Sequence, residues 1–172
     1  MRGIIVSLAA FATVGLTNGV VPVAAQTDAA NGAAQQPREL WSVQCSTGAR
    51  DAPVDCAIEQ RAVVSESGQL LTLFTIRVPA DTRKPVMMIQ TPLGPFLPGG
   101  ISIDVDNANT VKLDYQTCDA KGCYAGAPVS DEMLQSMFRG QKLNLTVQAL
   151  NKQPIKIPLD LTGFTAAYRK VQ

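Results

Sequence analysis

The chain has 172 residues, 15 basic and 14 acidic side chains, no histidine, 46% hydrophobic residues and only 5% aromatic ones. Lacking histidine, it cannot run Ser-His-Asp or Cys-His catalysis, nor supply the usual imidazole ligands for zinc or copper. Near-neutral charge, no Lys/Arg run able to track phosphates and sparse aromatics argue against nucleic acid as a partner.

At the start, Arg2 precedes an uncharged apolar run from Ile4 to Val21, which Pro22 breaks. Val23-Ala24-Ala25 then offers the small residues a signal peptidase accepts, so residues 1–25 read as a signal peptide cleaved after Ala25. The rival is an uncleaved anchor, since the run approaches bilayer length. Against it, Gly15, Thr17, Asn18 and Gly19 weaken the second half and only one basic residue precedes the run. No membrane span is expected after cleavage, and no cysteine near Ala25 suggests a lipid anchor. Removing Arg2 with the signal leaves 14 basic residues facing 14 acidic ones. Residues 26–38 lack apolar periodicity and read as a disordered linker. Residues 39–172 then form one domain of ordinary size.

Strand signals dominate that domain, near residues 40–45, 57–65, 69–78, 85–91, 101–105, 110–116, 142–150 and 154–161. The clearest alternation is Leu143, Leu145, Val147 and Ala149. It pairs naturally with Ile155, Ile157, Leu159 and Leu161 through a hairpin connection at Asn151 to Pro154. Pro158 lacks an amide donor, which places that strand at an edge or at a bulge. Turns are expected at Glu66-Ser67-Gly68 and at Asp106 to Asn109. The segment Pro92 to Gly100 carries three prolines and three glycines, so it reads as a rigid surface loop presenting Leu93, Phe96 and Leu97. One short helix is predicted, with Ser130 as N-cap, Asp131 and Glu132 in its first turn and Arg139 in its last, ending before Gly140. Met133, Leu134, Met137 and Phe138 give it an apolar stripe. About eight antiparallel strands with one helix predict an all-β fold, a β-sandwich or a flattened barrel.

Four cysteines in an expectedly exported chain favour disulfides, and three pairings are possible in principle. Proximity selects Cys45 with Cys56 and Cys118 with Cys123, each pair enclosing a turn-rich segment. A four-thiolate metal site fits the spacing poorly, and no Cys-x-x-Cys supports redox catalysis.

Other chemistry is weakly supported. Asp104 and Asp106 share a strand face by period two and raise glycoside hydrolysis by paired carboxylates, yet acids beside a turn are usually solvated. The same pair opens like a calcium loop, but Ala108 offers no oxygen at the next alternate position. Asn144-Leu145-Thr146 matches a glycosylation sequon inside a predicted strand and receives no role. No catalytic residue, cofactor or metal is expected. Three features remain as a candidate interaction surface: Met87-Met88 within a strand, Leu93, Phe96 and Leu97 on the proline loop, and Tyr124 beside the second cysteine pair. Core packing competes with binding at each of them.

Several of these pieces, in this order, resemble the invasion-associated locus B proteins of Gram-negative bacteria. The matching segments are Trp41-Ser42-Val43-Gln44-Cys45 followed by Cys56, the stretch Thr91 to Asp106, and Cys118 through Gly122-Cys123-Tyr124-Ala125. The short helix ending at Gly140 and the stretch Leu159 to Tyr168 complete the likeness, which spans about residues 40–168. Tyr124 departs from the family's usual residue after the paired cysteine. The resemblance implies a periplasmic, secreted or outer-surface β-sandwich protein, linked in pathogens to host-cell entry and without established catalytic residues. The expected function is therefore non-enzymatic binding of a macromolecular partner, a protein or an envelope component. The alternative is a general envelope-maintenance or structural factor with no host ligand.

Overall fold

Polar and apolar side chains alternate along most segments, which buries one face of each and yields two antiparallel sheets. The computed structural model describes residues 39–47 and 54–172, so the expected signal peptide and linker lie outside the described residues. Taken across its width, the first sheet contains β1 (Ser42–Thr47), β2 (Val54–Val63), β3 (Leu70–Val78), β4 (Val86–Thr91), β8 (Gly122–Pro128) and β7 (Thr117–Asp119). The second contains β10 (Pro154–Asp160), β9 (Lys142–Gln148), β5 (Ile101–Val105) and β6 (Ala108–Leu113). The sheets remain separate, so the fold is a sandwich and not a closed barrel. Ile58, Phe74, Ile76 and Ile89 from one sheet and Ile101, Ile103, Leu143 and Leu145 from the other are fully buried in a common core.

Register gives the second sheet two distinct ends. Val105 pairs with Leu143 and Leu143 with Leu159 at one end; Ile101, Val147 and Ile155 align at the other. The first end is closed by helices. In α1 (Asp131–Arg139) the Ser130 hydroxyl accepts the Met133 amide at 3.2 Å, and the Gly140 amide donates to the Ser136 carbonyl at 2.7 Å. Both ends of α1 are thus satisfied locally, and Met133 and Met137 are buried. A second helix, α2 (Phe164–Arg169), follows. Phe164 meets Trp41 at 5.0 Å and Phe138 at 5.6 Å between ring centroids, and Tyr168 lies 5.4 Å from Phe138. Beneath this cluster the Asp160 carbonyl accepts from both Trp41 Nε1, at 3.1 Å, and Gln60 Nε2, at 2.9 Å. A residue of the second sheet is thereby tied to the first sheet and to the chain preceding it.

The disulfides are those that proximity selects. Cys45 faces Cys56 across β1 and β2 with Cα atoms 4.1 Å apart, and Cys118 faces Cys123 across β7 and β8 at 4.0 Å. Pro158 lies on β10, an edge strand, where a missing amide costs no ladder bond. The turn at Asp106 and Asn107 has both residues at positive φ, 52° and 65°, joining β5 to β6 in two residues.

Three elements differ from the sequence expectation. Among the described residues there are ten strands, the added pair being the β7–β8 hairpin. Its sequence, TCD and GCYAGAP, is too small and polar to register as strand, and pairing with β4 holds it instead. Only a glycine fits at Gly122, where φ is 152° and an added Cβ would lie 2.2 Å from the Thr91 carbonyl oxygen. The helix α2 was not expected because six residues carry little periodicity and its N-cap, Gly163, makes no side-chain bond. Ile155, assigned to the buried face of its strand, is 45% exposed because it begins the edge strand at the open end of the sandwich.

The Asp160 carboxylate has its own role at the helical end. It accepts from Lys142 Nζ at 2.6 Å and from the Thr162 amide at 2.8 Å. The Lys142 bond first, then those of Thr162, hold it down to about 2 against an ordinary 3.8. Because the folded value is the lower one, the stabilisation is complete above about pH 4 and disappears as pH falls through about 2. Solvent screens this half-exposed pair, so its contribution is small. In melting curves recorded across this window, Asp160→Asn should lose less stability on acidification than the parent. Parallel curves would refute that assignment.

Candidate functional site

The opposite end of the sandwich is open, and most of the exposed apolar side chains singled out in the sequence gather there. Pro92, Pro95 and Pro98 restrict φ along the loop between β4 and β5, and Gly94 takes φ 101°. This loop is not free-standing: Pro95 bridges to Ala149, and the Phe96 amide donates to the Gln148 carbonyl at 2.8 Å. A short 3-10 turn over Leu97–Gly99 then leads into β5. The loop is therefore stitched to the tip of the β9–β10 hairpin.

That tip is itself a closed turn. The Lys152 amide donates to the Ala149 carbonyl at 2.8 Å, and the Ala149 amide donates to the Gln153 carbonyl at 3.0 Å. The backbone points Leu150 outward, where it is 72% exposed. Leu93 is 60% and Leu97 46% exposed, whereas Phe96 is half-buried with Lys152 Nζ 5.2 Å from its ring centroid. Between loop and hairpin runs a cleft of about 160 Å³, floored by Leu71, Val147 and Ile157 and walled by Leu93, Pro95 and Ile155. Its lining is overwhelmingly apolar, which is the property that distinguishes a binding surface from a scatter of exposed aliphatic residues.

Met87, Met88 and Tyr124 are placed elsewhere. Met87 is buried in the core, and Met88 points from the outer face of the first sheet between Thr75 and Gly126. Tyr124 lies beside Gln90 on that outer face, and its hydroxyl donates to the Asp119 carboxylate at 3.1 Å. Partial desolvation and then this bond raise its phenol above the ordinary 10.0. It holds its own hairpin. Leu150 and Ile155 are the members of the patch that sequence reasoning missed. Leu150 gave a signal, because it follows Ala149 directly and breaks the period-two phase of β9.

The carboxylate pair considered for catalysis is occupied by the backbone. Asp104 accepts the Asn107 amide at 2.6 Å and Asn144 Nδ2 at 2.7 Å; Asp106 accepts the amides of Gln141 and Lys142, each at 2.9 Å. These bonds fix the β5–β6 turn and the start of β9, and the Asn144 amide of the sequon is buried within them. A further hollow, of about 260 Å³, lies between edge strand β6 and α1, with Val111, Met133 and Ser136 among its walls.

The model of one family, described as invasion associated locus B (IalB) protein, matches residues 41–172. This chain belongs to the IalB family. Two invasion protein B homologs of Brucella abortus, from strain 2308 and from biovar 1 strain 9-941, are each 25% identical to it over 139 residues. Each match covers 80% of this chain and 79% of the relative. The crystal structure of invasion associated protein B from Bartonella henselae shares the fold, with a TM-score of 0.66 at 19% identity, covering 77% of this chain and 90% of that one. Nearly all the described IalB domain thus has a counterpart of the same architecture.

Proposed function

We propose that this IalB protein is an exported, non-enzymatic envelope or secreted protein associated with host-cell invasion, and that it acts by binding a macromolecular partner. The observation that carries the reading is the apolar cleft walled by Leu93 and Ile155, with Leu97 and Leu150 exposed on the two cross-linked loops beside it. Exposed aliphatic side chains gain nothing in water, so their clustering on rigid loops is accounted for by a surface that becomes covered. Export is supported by the paired cysteines and by the signal-like first residues. A non-enzymatic role is supported by the missing histidine and by the structural engagement of Asp104 and Asp106.

The test is complementation of a gene deletion with the parent and with Leu93→Ser/Leu150→Ser, scoring host-cell entry together with growth in detergent. Both positions are exposed, so the double variant should fold with unchanged melting temperature. Loss of entry with normal growth is the expected result. Normal entry with the patch variant would refute the reading, and a growth defect alone would transfer the role to envelope maintenance.

A further inference from the structure

Charge around the patch narrows what covers it. The loop segment 92–100 contains no charged residue, and the hairpin segment 149–157 contains Lys152 and Lys156 but no carboxylate. Lys156 reaches away from the patch and donates to Asn107 Oδ1 at the β5–β6 turn, but a second lysine comes from β6: a Cβ built on Gly100 would lie 3.1 Å from Lys112 Cε, so that side chain runs along the end of the proline loop. The ion pairs made among the described residues are Arg77 with Asp55 and Lys142 with Asp160, which leaves Lys112 and Lys152 without a carboxylate partner there. The two segments that carry the exposed leucines therefore contribute positive charge and no carboxylate of their own.

Shape points the same way. Leu93 and Leu150 are exposed on two loops that the Pro95–Ala149 bridge joins at one end of the sandwich, not on a flat sheet face. The Lys152 ammonium over the Phe96 ring adds an aromatic and a cation side by side, the pairing suited to a headgroup layer. No helix among the described residues is long and apolar enough to cross a bilayer, so a contact made by these tips is superficial.

Resting on the binding role proposed above, we infer that the patch docks on an anionic lipid surface. Leu93, Leu97 and Leu150 enter the boundary between headgroups and acyl chains, and Lys112 and Lys152 meet the headgroup phosphates. Apolar insertion supplies the hold, and the lysines supply the preference for negative charge and the sensitivity to salt.

The purified, disulfide-bonded protein should be sedimented with large vesicles of phosphatidylcholine alone and with vesicles containing one-quarter phosphatidylglycerol. Partition onto the anionic vesicles should be at least about tenfold the greater, and raising salt to about 0.5 M should remove most of the difference. Leu93→Ser/Leu150→Ser should abolish binding to both. Lys112→Glu/Lys152→Glu should erase the anionic preference, with melting temperatures checking that both variants are folded. Absence of binding, equal partition on the two vesicle types, or partition indifferent to the variants each overturns the inference. If the leucine variant loses host-cell entry while the parent ignores vesicles, the patch serves a protein partner; the lipid inference then fails while the binding role stands.

Discussion

Trp41→Ala should destabilise the domain by about 3–5 kcal/mol, the largest single-residue effect expected here. Trp41 is 3% exposed and packs edge-on against Phe74 at 6.2 Å and Phe164 at 5.0 Å. Truncation opens a cavity under both rings and strips one of the two donors from the Asp160 carbonyl, so apolar and polar losses add. Trp41→Phe separates them, because it keeps most of the ring volume and gives up the hydrogen bond; its cost should be about 1–2 kcal/mol. Chemical denaturation of the three proteins measures both numbers. A Trp41→Ala loss below about 1 kcal/mol would mean that Trp41 is peripheral to the core.

Removing one disulfide should cost about 2–3 kcal/mol on the chain-entropy account, through Cys45→Ser/Cys56→Ser or Cys118→Ser/Cys123→Ser. The first bridge closes the wider span, a sequence separation of 11 against 5, so its loss should cost about 0.7 kcal/mol more. Each bridge ties an edge strand, β1 or β7, to its inner neighbour. Edge strands have one hydrogen-bonded partner instead of two, so hydrogen exchange should accelerate in β1 for the first variant and in β7 for the second, leaving β9 unchanged. Uniform acceleration over both sheets would show that the bridges stabilise only globally.

Much of the fold was legible where a segment meets one local rule. Period two marked β9 and β10, Ser130 and Gly140 marked the ends of α1, and proximity paired the cysteines. What stayed hidden depends on distant parts of the chain. The strand GCYAGAP has no β-branched residue and only Tyr124 of any size to announce it, and it is held by β4, more than thirty positions earlier in register with it. Phe164, Ala167 and Tyr168 are too few to show a helical period, yet Trp41 and Phe138 give them a surface to cover. At the candidate site, the sequence offered Leu93, Phe96 and Leu97 through the rigidity of their prolines. Leu150 and Ile155 join them only because the Pro95–Ala149 bridge brings two loops together, and no composition rule reports that. Met88 and Tyr124 were grouped with the loop by type alone, and the sheet places them on another face.

The bond from Trp41 to Asp160 joins residues 119 positions apart. A growing or threading chain exposes its beginning long before its end, so the aromatic lock has no keeper until Asp160 and Phe164 have emerged. Native contacts of such separation are slow to form. The first sheet and the inner strands of the second precede the last strand, but the end that Trp41 closes stays uncovered until Asp160 and Phe164 arrive, and a protein cut short before Asp160 would carry a half-built interior vulnerable to proteases.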